Sequence, residues 1–300
     1  DNFTRTENNA VALKSTYSSL VDLFGQIGAM RKRHDSDIES AFSKAFAEDK
    51  LLATKMAFYA RNIRGGLGER RIFKVILKFL AKVYPEIAKK NIQYIPLFGR
   101  YDDLYEFVGT EVETAMWSLI KGQWELDIMS MKNGLPTSLL SKWLKSVNTS
   151  SIESKRLGRL TAEKLGLSEK QYRQTLSKLR KYLDVVEVKM SSNQWTDINY
   201  SGVPSRAMNI YRNAFKKHDE KGFNSYIEKV SKGEEKINAS TLFPYDILEK
   251  MGLNNGWSSN YLSVNNYDKV LEEQWKALPN YIEGENNVLI MADTSGSRHG

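Results

Sequence analysis

Along most of the chain, apolar residues recur at steps of three and four. Ile72, Val75, Ile76, Phe79, Leu80 and Val83 form one such series. That spacing gathers side chains on a single face of a helix. Tyr172, Leu176, Leu179, Leu183 and Val186 form a second series, and Met208, Tyr211 and Phe215 a third. Strict alternation of apolar and polar positions, the sign of a half-buried strand, is scarce. The series break at Arg64-Gly65-Gly66-Leu67-Gly68, at Asn133-Gly134-Leu135-Pro136, at Gly166, at Gly202-Val203-Pro204 and at Lys232-Gly233. Glycine and proline clusters of this kind end helices and make turns. The pattern predicts a mainly α chain, with helices of about ten to twenty residues joined by short turns. Helical hairpins that bury their stripes on neighbours build a HEAT-like solenoid or a ring. No fixed period is visible, so any repeats are degenerate.

Near the end the character changes. Residues 254–267 are rich in Asn, Ser and Gly and read as loop, and a last helix is expected over Tyr267 to Ala277. Gly284-Glu285-Asn286-Asn287 then leads into Val288-Leu289-Ile290-Met291-Ala292. A short apolar run bounded by turn residues reads as a buried strand. Directly after it stand Asp293, Thr294, Ser295, Gly296 and Ser297, a D-x-S-x-S pattern. One carboxylate and two hydroxyls, two residues apart on a tight loop, can point at one centre. They offer the oxygen ligands that a hard cation such as Mg²⁺ takes, and the carboxyl end of a strand in an α/β fold is where ligands bind. Asp293, Ser295 and Ser297 are therefore the candidate metal ligands; a plain Ser/Gly turn is the alternative. The expected organisation is a helical-repeat domain over 1–253, a linker and last helix over 254–287, and the start of an α/β domain over 288–300.

Composition excludes several kinds of chemistry. The chain has no cysteine, which removes disulfides, thiolate zinc sites and cysteine nucleophiles. Its three histidines, His34, His218 and His299, show no metal-ligand spacing. No G-x-S-x-G elbow is present, and no base and nucleophile pair stands out, so an enzyme is not expected. No apolar run is long enough to span a bilayer. Asp1 to Thr6 has no signal-peptide core, and the expectation is a cytoplasmic protein without a membrane partner. Without an initiator Met, the numbering is expected to begin inside a longer reading frame.

Charge adds a direction. The net charge is +8, a balance that favours polyanionic partners. The cations crowd between Lys142 and Lys217. Lys142, Lys145, Arg156, Arg159, Lys164, Lys170, Arg173, Lys178, Arg180 and Lys181 are the candidate RNA-binding residues. On the helix starting near Ser168 the apolar series faces inward. Lys170, Lys178 and Lys181 are then expected on one exposed flank, and Arg173 and Arg180 on another. Such flanks suit phosphate contacts, which supply affinity without sequence readout. The alternative is a solvated helix face. Trp143, Trp195 and Tyr200 lie near this stretch and could stack on unpaired bases, although aromatic residues at helical spacing more often pack in a core. The glycines between Arg61 and Arg71 do not follow a strand, so they read as a helix–helix turn rather than a phosphate loop. The arginines around that turn, Arg61, Arg64, Arg70 and Arg71, suggest a secondary phosphate contact. Asp102 or Asp103 reads as a helix cap with Arg100 paired nearby.

Residues Val288 to Ser297 resemble the first strand and metal-ion-dependent adhesion site of von Willebrand A domains. In that family a Thr and an Asp from later loops complete the site, and both would lie beyond Gly300. Arg298 stands where relatives often carry Met. The resemblance implies an incomplete A domain here, with Mg²⁺ or another divalent cation bound only once the domain is completed. Further segments extend the likeness. They include Thr6-Glu7-Asn8-Asn9, Leu23-Phe24-Gly25-Gln26-Ile27-Gly28, Tyr59 through Arg70, Phe98 through Leu104, Val203-Pro204-Ser205 and Ile237-Asn238-Ala239-Ser240. Their order, helices first and A domain last, resembles the Ro autoantigen family, whose TROVE module is a ring of helical repeats. It is more similar still to a group of phage, bacterial and plant proteins with that layout. The resemblance implies a ribonucleoprotein that binds structured small noncoding or misfolded RNA, and it favours Arg159, Lys164 and Lys178 as contacts. The competing expectation is a protein-interaction scaffold with a protein partner at the A domain. Salt-sensitive affinity for RNA discriminates between the two.

Overall fold

The computed structural model describes residues 2–6, 9–251 and 268–280. The described residues are mainly helical, as the apolar periodicity predicts. They hold a two-stranded sheet, β1 (Phe3–Arg5) with β2 (Val11–Leu13), and fifteen α-helices. The chain divides into two compact units. One runs over Leu13–Val188, with the start of the chain through Phe3; the other takes Thr4–Ala12 and the described residues from Lys189 onward. The candidate metal loop, the strand before it and the loop over 254–267 lie outside the described residues.

The first unit contains α1 (Ser19–Gln26), α2 (Asp35–Glu48), α3 (Lys50–Arg61), α4 (Arg70–Val83), α5 (Pro85–Asn91), α6 (Ile95–Phe98), α7 (Glu113–Lys132), α8 (Leu140–Trp143), α9 (Ile152–Lys164) and α10 (Glu169–Tyr182). Helix α4 is its hub, packed against α2, α3 and α5. Ile72, Phe73, Val75, Ile76, Leu77 and Leu80 are all buried along it. Each side chain of that size contributes about 1.5–3 kcal/mol when removed from water. The buried face is wider than the sequence series, since it takes in Phe73 and Leu77, whereas Val83 ends exposed in the last turn. Rings fill the space around it: Phe42 meets Phe46 and Phe79, and Phe58 meets Phe73 and Phe98. Between α6 and α7 the chain forms a tight 3₁₀ segment over Tyr101–Phe107.

The turn after α3 is a helix–helix connection, with a difference in detail. Asn62, not a glycine, is the cap residue. Gly66 lies against the last turn so closely that a Cβ there would sit 1.9 Å from the Tyr59 carbonyl oxygen, and Gly68 has φ +67°. Only glycine meets both demands without strain.

Helix α11 (Val186–Ser191) follows α10. In the second unit lie α12 (Ser205–His218), α13 (Glu220–Ser231), α14 (Pro244–Lys250) and α15 (Lys269–Lys276). The last of these falls within the helix expected near Tyr267 to Ala277. Phe215 of α12 and Phe223 of α13 pack with Tyr200 and Tyr226 into a four-ring core. Asp219 joins the two helices. It caps α13 by accepting from the Gly222 N–H, and it accepts the Tyr200 hydroxyl at 2.7 Å.

Candidate functional site

The α9–α10 hairpin carries most of the predicted RNA contacts, and its inward faces are fully used. Ser151 caps α9. Ser168 and Gln171 form a reciprocal capping box at the start of α10, after Gly166 turns the chain at φ +71°. Leu157, Gly158, Thr161 and Ala162 are buried on α9, and Tyr172, Leu176 and Leu179 on α10. Gly158 touches the backbone of Ser146; a Cβ there would lie 2.6 Å from its carbonyl carbon.

The outward faces carry the cations. Lys155, Arg156, Arg159, Lys164, Lys170, Arg173, Lys178 and Lys181 are exposed. Arg156 pairs with Glu153 at 2.8 Å and Arg159 with Glu169 at 3.0 Å. Lys155, Lys170, Arg173, Lys178 and Lys181 make no ion pair among the described residues. An open groove of about 530 Å³ runs along α9, lined by Ile152, Lys155, Arg156, Arg159 and Glu163 among others.

Arg180 behaves differently from its neighbours on α10. Its guanidinium donates to the carbonyl oxygens of Ser141 and Leu144 and to the Ser146 hydroxyl, at 2.8–2.9 Å. Burial depresses its pKa. Arg180 therefore ties the segment after α8 onto α10, and the flank expected from Arg173 and Arg180 reduces to Arg173. A relay of hydroxyls fixes the same segment. The Lys145 N–H donates to Tyr105 Oη at 3.3 Å. Thr161 Oγ1 donates to the Leu157 carbonyl, so its remaining lone pair accepts from Tyr105 at 2.8 Å. The Tyr172 hydroxyl donates to the Lys145 carbonyl at 2.7 Å. Burial pushes the Tyr105 pKa up to about 12 and raises that of Tyr172 as well.

Trp143 and Lys145 meet a charged cluster built around Asp102, and Lys142 lies beside Trp143. Asp102 accepts Arg100 through two bonds, Nε at 2.8 Å and Nη2 at 2.6 Å, and Arg70 Nη2 at 2.6 Å. Lys145 Nζ lies 3.5 Å away. Burial is the largest single influence on the Asp102 carboxyl and pushes its pKa up. The Arg100 hydrogen bond and the charges of Arg100, Arg70 and Lys145 together outweigh it, so the pKa is held below the ordinary range. Asp103 accepts Arg61 Nε at 2.8 Å, Arg70 Nε at 3.4 Å and the Arg100 N–H at 3.0 Å. Arg100 pairs with the aspartates as expected, but neither is the N-cap: that position is Arg100, and Asp103, inside the 3₁₀ segment, accepts its N–H. The Arg100 guanidinium stacks 3.8 Å above the Trp143 ring, and Lys142 Nζ is 5.4 Å from the same ring. Gly99 makes room: a Cβ there would lie 2.6 Å from Asp103 Oδ2 and 3.0 Å from Arg61 Nε.

The other two aromatic candidates belong to the second unit. Trp195 stacks on His218 at 4.3 Å, and Tyr200 sits in the four-ring core. No His, Cys, Asp and Glu group suited to holding a metal occurs among the described residues, and no described helix is long and apolar enough to cross a membrane.

A family described as Domain of unknown function (DUF2828) matches residues 6–120 and 137–287. The chain belongs to this family. Both clusters of this DUF2828 member, the α9–α10 face and the Arg–Asp network, fall inside the matched stretches. Its similarity extends to Uncharacterized protein L728 of Acanthamoeba polyphaga mimivirus, 27% identical over 340 residues, an alignment that covers 100% of this chain and 57% of the viral protein. The chain thus spans a little over half the length of that relative. No solved structure matches it.

Proposed function

We propose that the chain binds RNA through the outward face of α9 and α10. One observation carries the reading: five exposed cations, Lys155, Lys170, Arg173, Lys178 and Lys181, stand without ion pairs on a hairpin whose other faces are buried. Unpaired cations on a rigid helical surface neutralise phosphates and release their counterions, which gives salt-dependent, sequence-independent affinity. Arg159 and Lys164 extend the surface. Ro-like ribonucleoproteins supply the model for the partner, a structured small noncoding or misfolded RNA. The successive packing of α1 on α2, α2 on α3 and α3 on α4 supports the helical-repeat part of that likeness. Closure into a ring, a cytoplasmic location, and an A domain with Mg²⁺ held by Asp293, Ser295 and Ser297 all belong to the same proposal.

The test is a titration of a structured small RNA followed by fluorescence anisotropy at several salt concentrations. The wild type is compared with a variant in which Arg159, Lys164 and Lys178 are all changed to Ala. The expected outcome is an affinity that falls steeply with salt, and a log–log salt slope shallower in the variant by about two to three units. Wild-type binding no tighter than that of a neutral control protein would overturn the reading. A protein-interaction scaffold is then the better account.

A further inference from the structure

The Arg–Asp network holds more positive charge than it can neutralise. Four cations meet there, Arg61, Arg70, Arg100 and Lys145, against two carboxylates, Asp102 and Asp103; four minus two leaves a surplus of two. Part of that charge is held away from water. Arg61 has 2% of its side chain exposed, and its Nη2 is buried with no hydrogen-bond partner. Concentrated positive charge beneath a partly dry surface strengthens every interaction with an anion above it. That surface exists: the side chains of Arg70, Arg100 and Lys145 are 41%, 22% and 28% exposed. Arg70 and Arg100 bond to the aspartates through Nε and Nη2, so each keeps Nη1 for another acceptor. Asp102 and Asp103 fix both guanidinium planes from below, which is the preorganisation an oxyanion site needs.

We propose that the face formed by Arg70, Arg100 and Lys145 is a binding site for a phosphomonoester. A surplus of two charges matches a phosphate monoester, which carries about −1.5 to −2 at neutral pH, better than the single charge of a diester within a strand. Arg61 supplies charge from beneath and does not touch the ligand. The site shares no residue with the α9–α10 face, so it stands or falls without the RNA reading.

Thermal unfolding of the full chain in increasing inorganic phosphate, against sodium chloride at matched ionic strength, is the first measurement. Phosphate is expected to raise the Tm and chloride is not. Calorimetric titration then gives a Kd for the wild type, Lys145→Gln, Arg70→Gln and Lys178→Gln. Lys145→Gln leaves the Lys145 backbone bonds intact and should fold even if Arg70→Gln does not. Losing one charge-assisted donor should weaken phosphate at least about fivefold. Lys178→Gln, on the α10 face, should bind phosphate like the wild type. A 5′-phosphorylated oligonucleotide that binds more tightly than its 5′-hydroxyl twin, with the advantage lost in Lys145→Gln, would support a strand end as the source. Equal binding of the two oligonucleotides, with free phosphate still bound, would support a small phosphorylated metabolite. No stabilisation beyond chloride, or wild-type affinity in Lys145→Gln, would overturn the proposal.

Discussion

The two units solve the same problem, holding helices together, with different chemistry. In the first, an arginine and an aspartate are buried alongside the apolar core: Arg61 and Asp103 are 2% and 0% exposed. In the second, the centre is four rings, and the comparable pair, Arg212 with Asp268 at 2.7 Å, lies nearer the surface at 13% and 14%. Apolar rings need only be dry and close. A buried ion pair needs geometry, because removing both charges from water costs several kcal/mol that the pair must recover. A charged centre is therefore a weak source of stability and a strong constraint on arrangement. It also leaves a larger surplus, two positive charges, against one where Arg212 and Lys216 meet Asp268.

The sharpest way to break this comparison is to neutralise one aspartate in each unit. Asp103→Asn keeps the shape but leaves Arg61 charged, buried and uncompensated, so a loss of about 3–5 kcal/mol is expected. Asp268→Asn keeps its cap on α15, because Asn caps as well as Asp, and loses only a partly solvated pair; about 1 kcal/mol is expected. Urea unfolding of both variants checks the contrast. Equal costs would show that burial does not separate the two pairs.

A smaller effect is expected at the tyrosines. Tyr105→Phe interrupts the relay from the Lys145 N–H to Thr161 and leaves a partly buried donor unpaired, at about 1–2 kcal/mol. Tyr200→Phe takes a donor from Asp219, which keeps its bond to Gly222; because that acceptor is charged, a comparable cost of about 1–2 kcal/mol is expected. If Tyr105→Phe is neutral in urea unfolding, the segment around Lys145 is held by Arg180 and Tyr172 alone.

The pH profile sharpens the same contrast. Asp102 in the first unit and Asp268 in the second both have pKa values below the ordinary 3.8. In each, burial pushes upward and is outweighed, by Arg100, Arg70 and Lys145 for Asp102 and by Arg212 and Lys216 for Asp268. A carboxylate with a depressed folded pKa adds stability that is whole above its unfolded value and fades as pH falls through the folded one. Both units should therefore weaken below about pH 4. Tyr105 has the opposite sign. Its pKa rises from 10.0 to about 12, so its contribution is whole below pH 10 and disappears as pH climbs through about 12. In Tyr105→Phe the alkaline decline should be shallower, and the acid decline unchanged. Unfolding free energy measured from pH 3 to 12 tests both limbs.

Periodicity made the helices legible because it is local: Tyr172, Leu176 and Leu179 are three and four residues apart and share one face. The turn at Gly66 and Gly68 was legible for the same reason. The Arg–Asp network was not. Arg61, Arg70 and Lys145 stand 32 to 43 residues from the aspartates they pair with, and no local spacing joins them; Arg100, two residues from Asp102, is the one partner within local reach. Arg61, Arg64, Arg70 and Arg71 stood out as a phosphate contact and Arg100 as a partner of the aspartates, but only the fold shows which of them meet. Arg180 illustrates the reverse limit. The sequence places it on the same helix as Arg173 and Lys178 and cannot tell that three acceptors of the 141–146 segment lie within its reach.

Arg159 offers the smallest effect on stability and the cleanest separation of fold from function. Its partner Glu169 lies at 3.0 Å, with the two side chains 55% and 54% exposed. At that exposure water screens the attraction, and the gain is set against the entropy of holding two long side chains in place. Arg159→Ala should therefore change unfolding free energy by no more than about 0.5 kcal/mol. Glu169 then no longer has its cation, and a free carboxylate is added to the face proposed to meet phosphates. RNA affinity should fall by more than the loss of one contact alone would cause, and the salt slope should drop by about one unit. The double variant Arg159→Ala with Glu169→Gln isolates the two contributions. If Glu169→Gln restores part of the lost affinity, the carboxylate opposes the RNA and Arg159 works partly by neutralising it. If it restores nothing, Arg159 contacts phosphate directly.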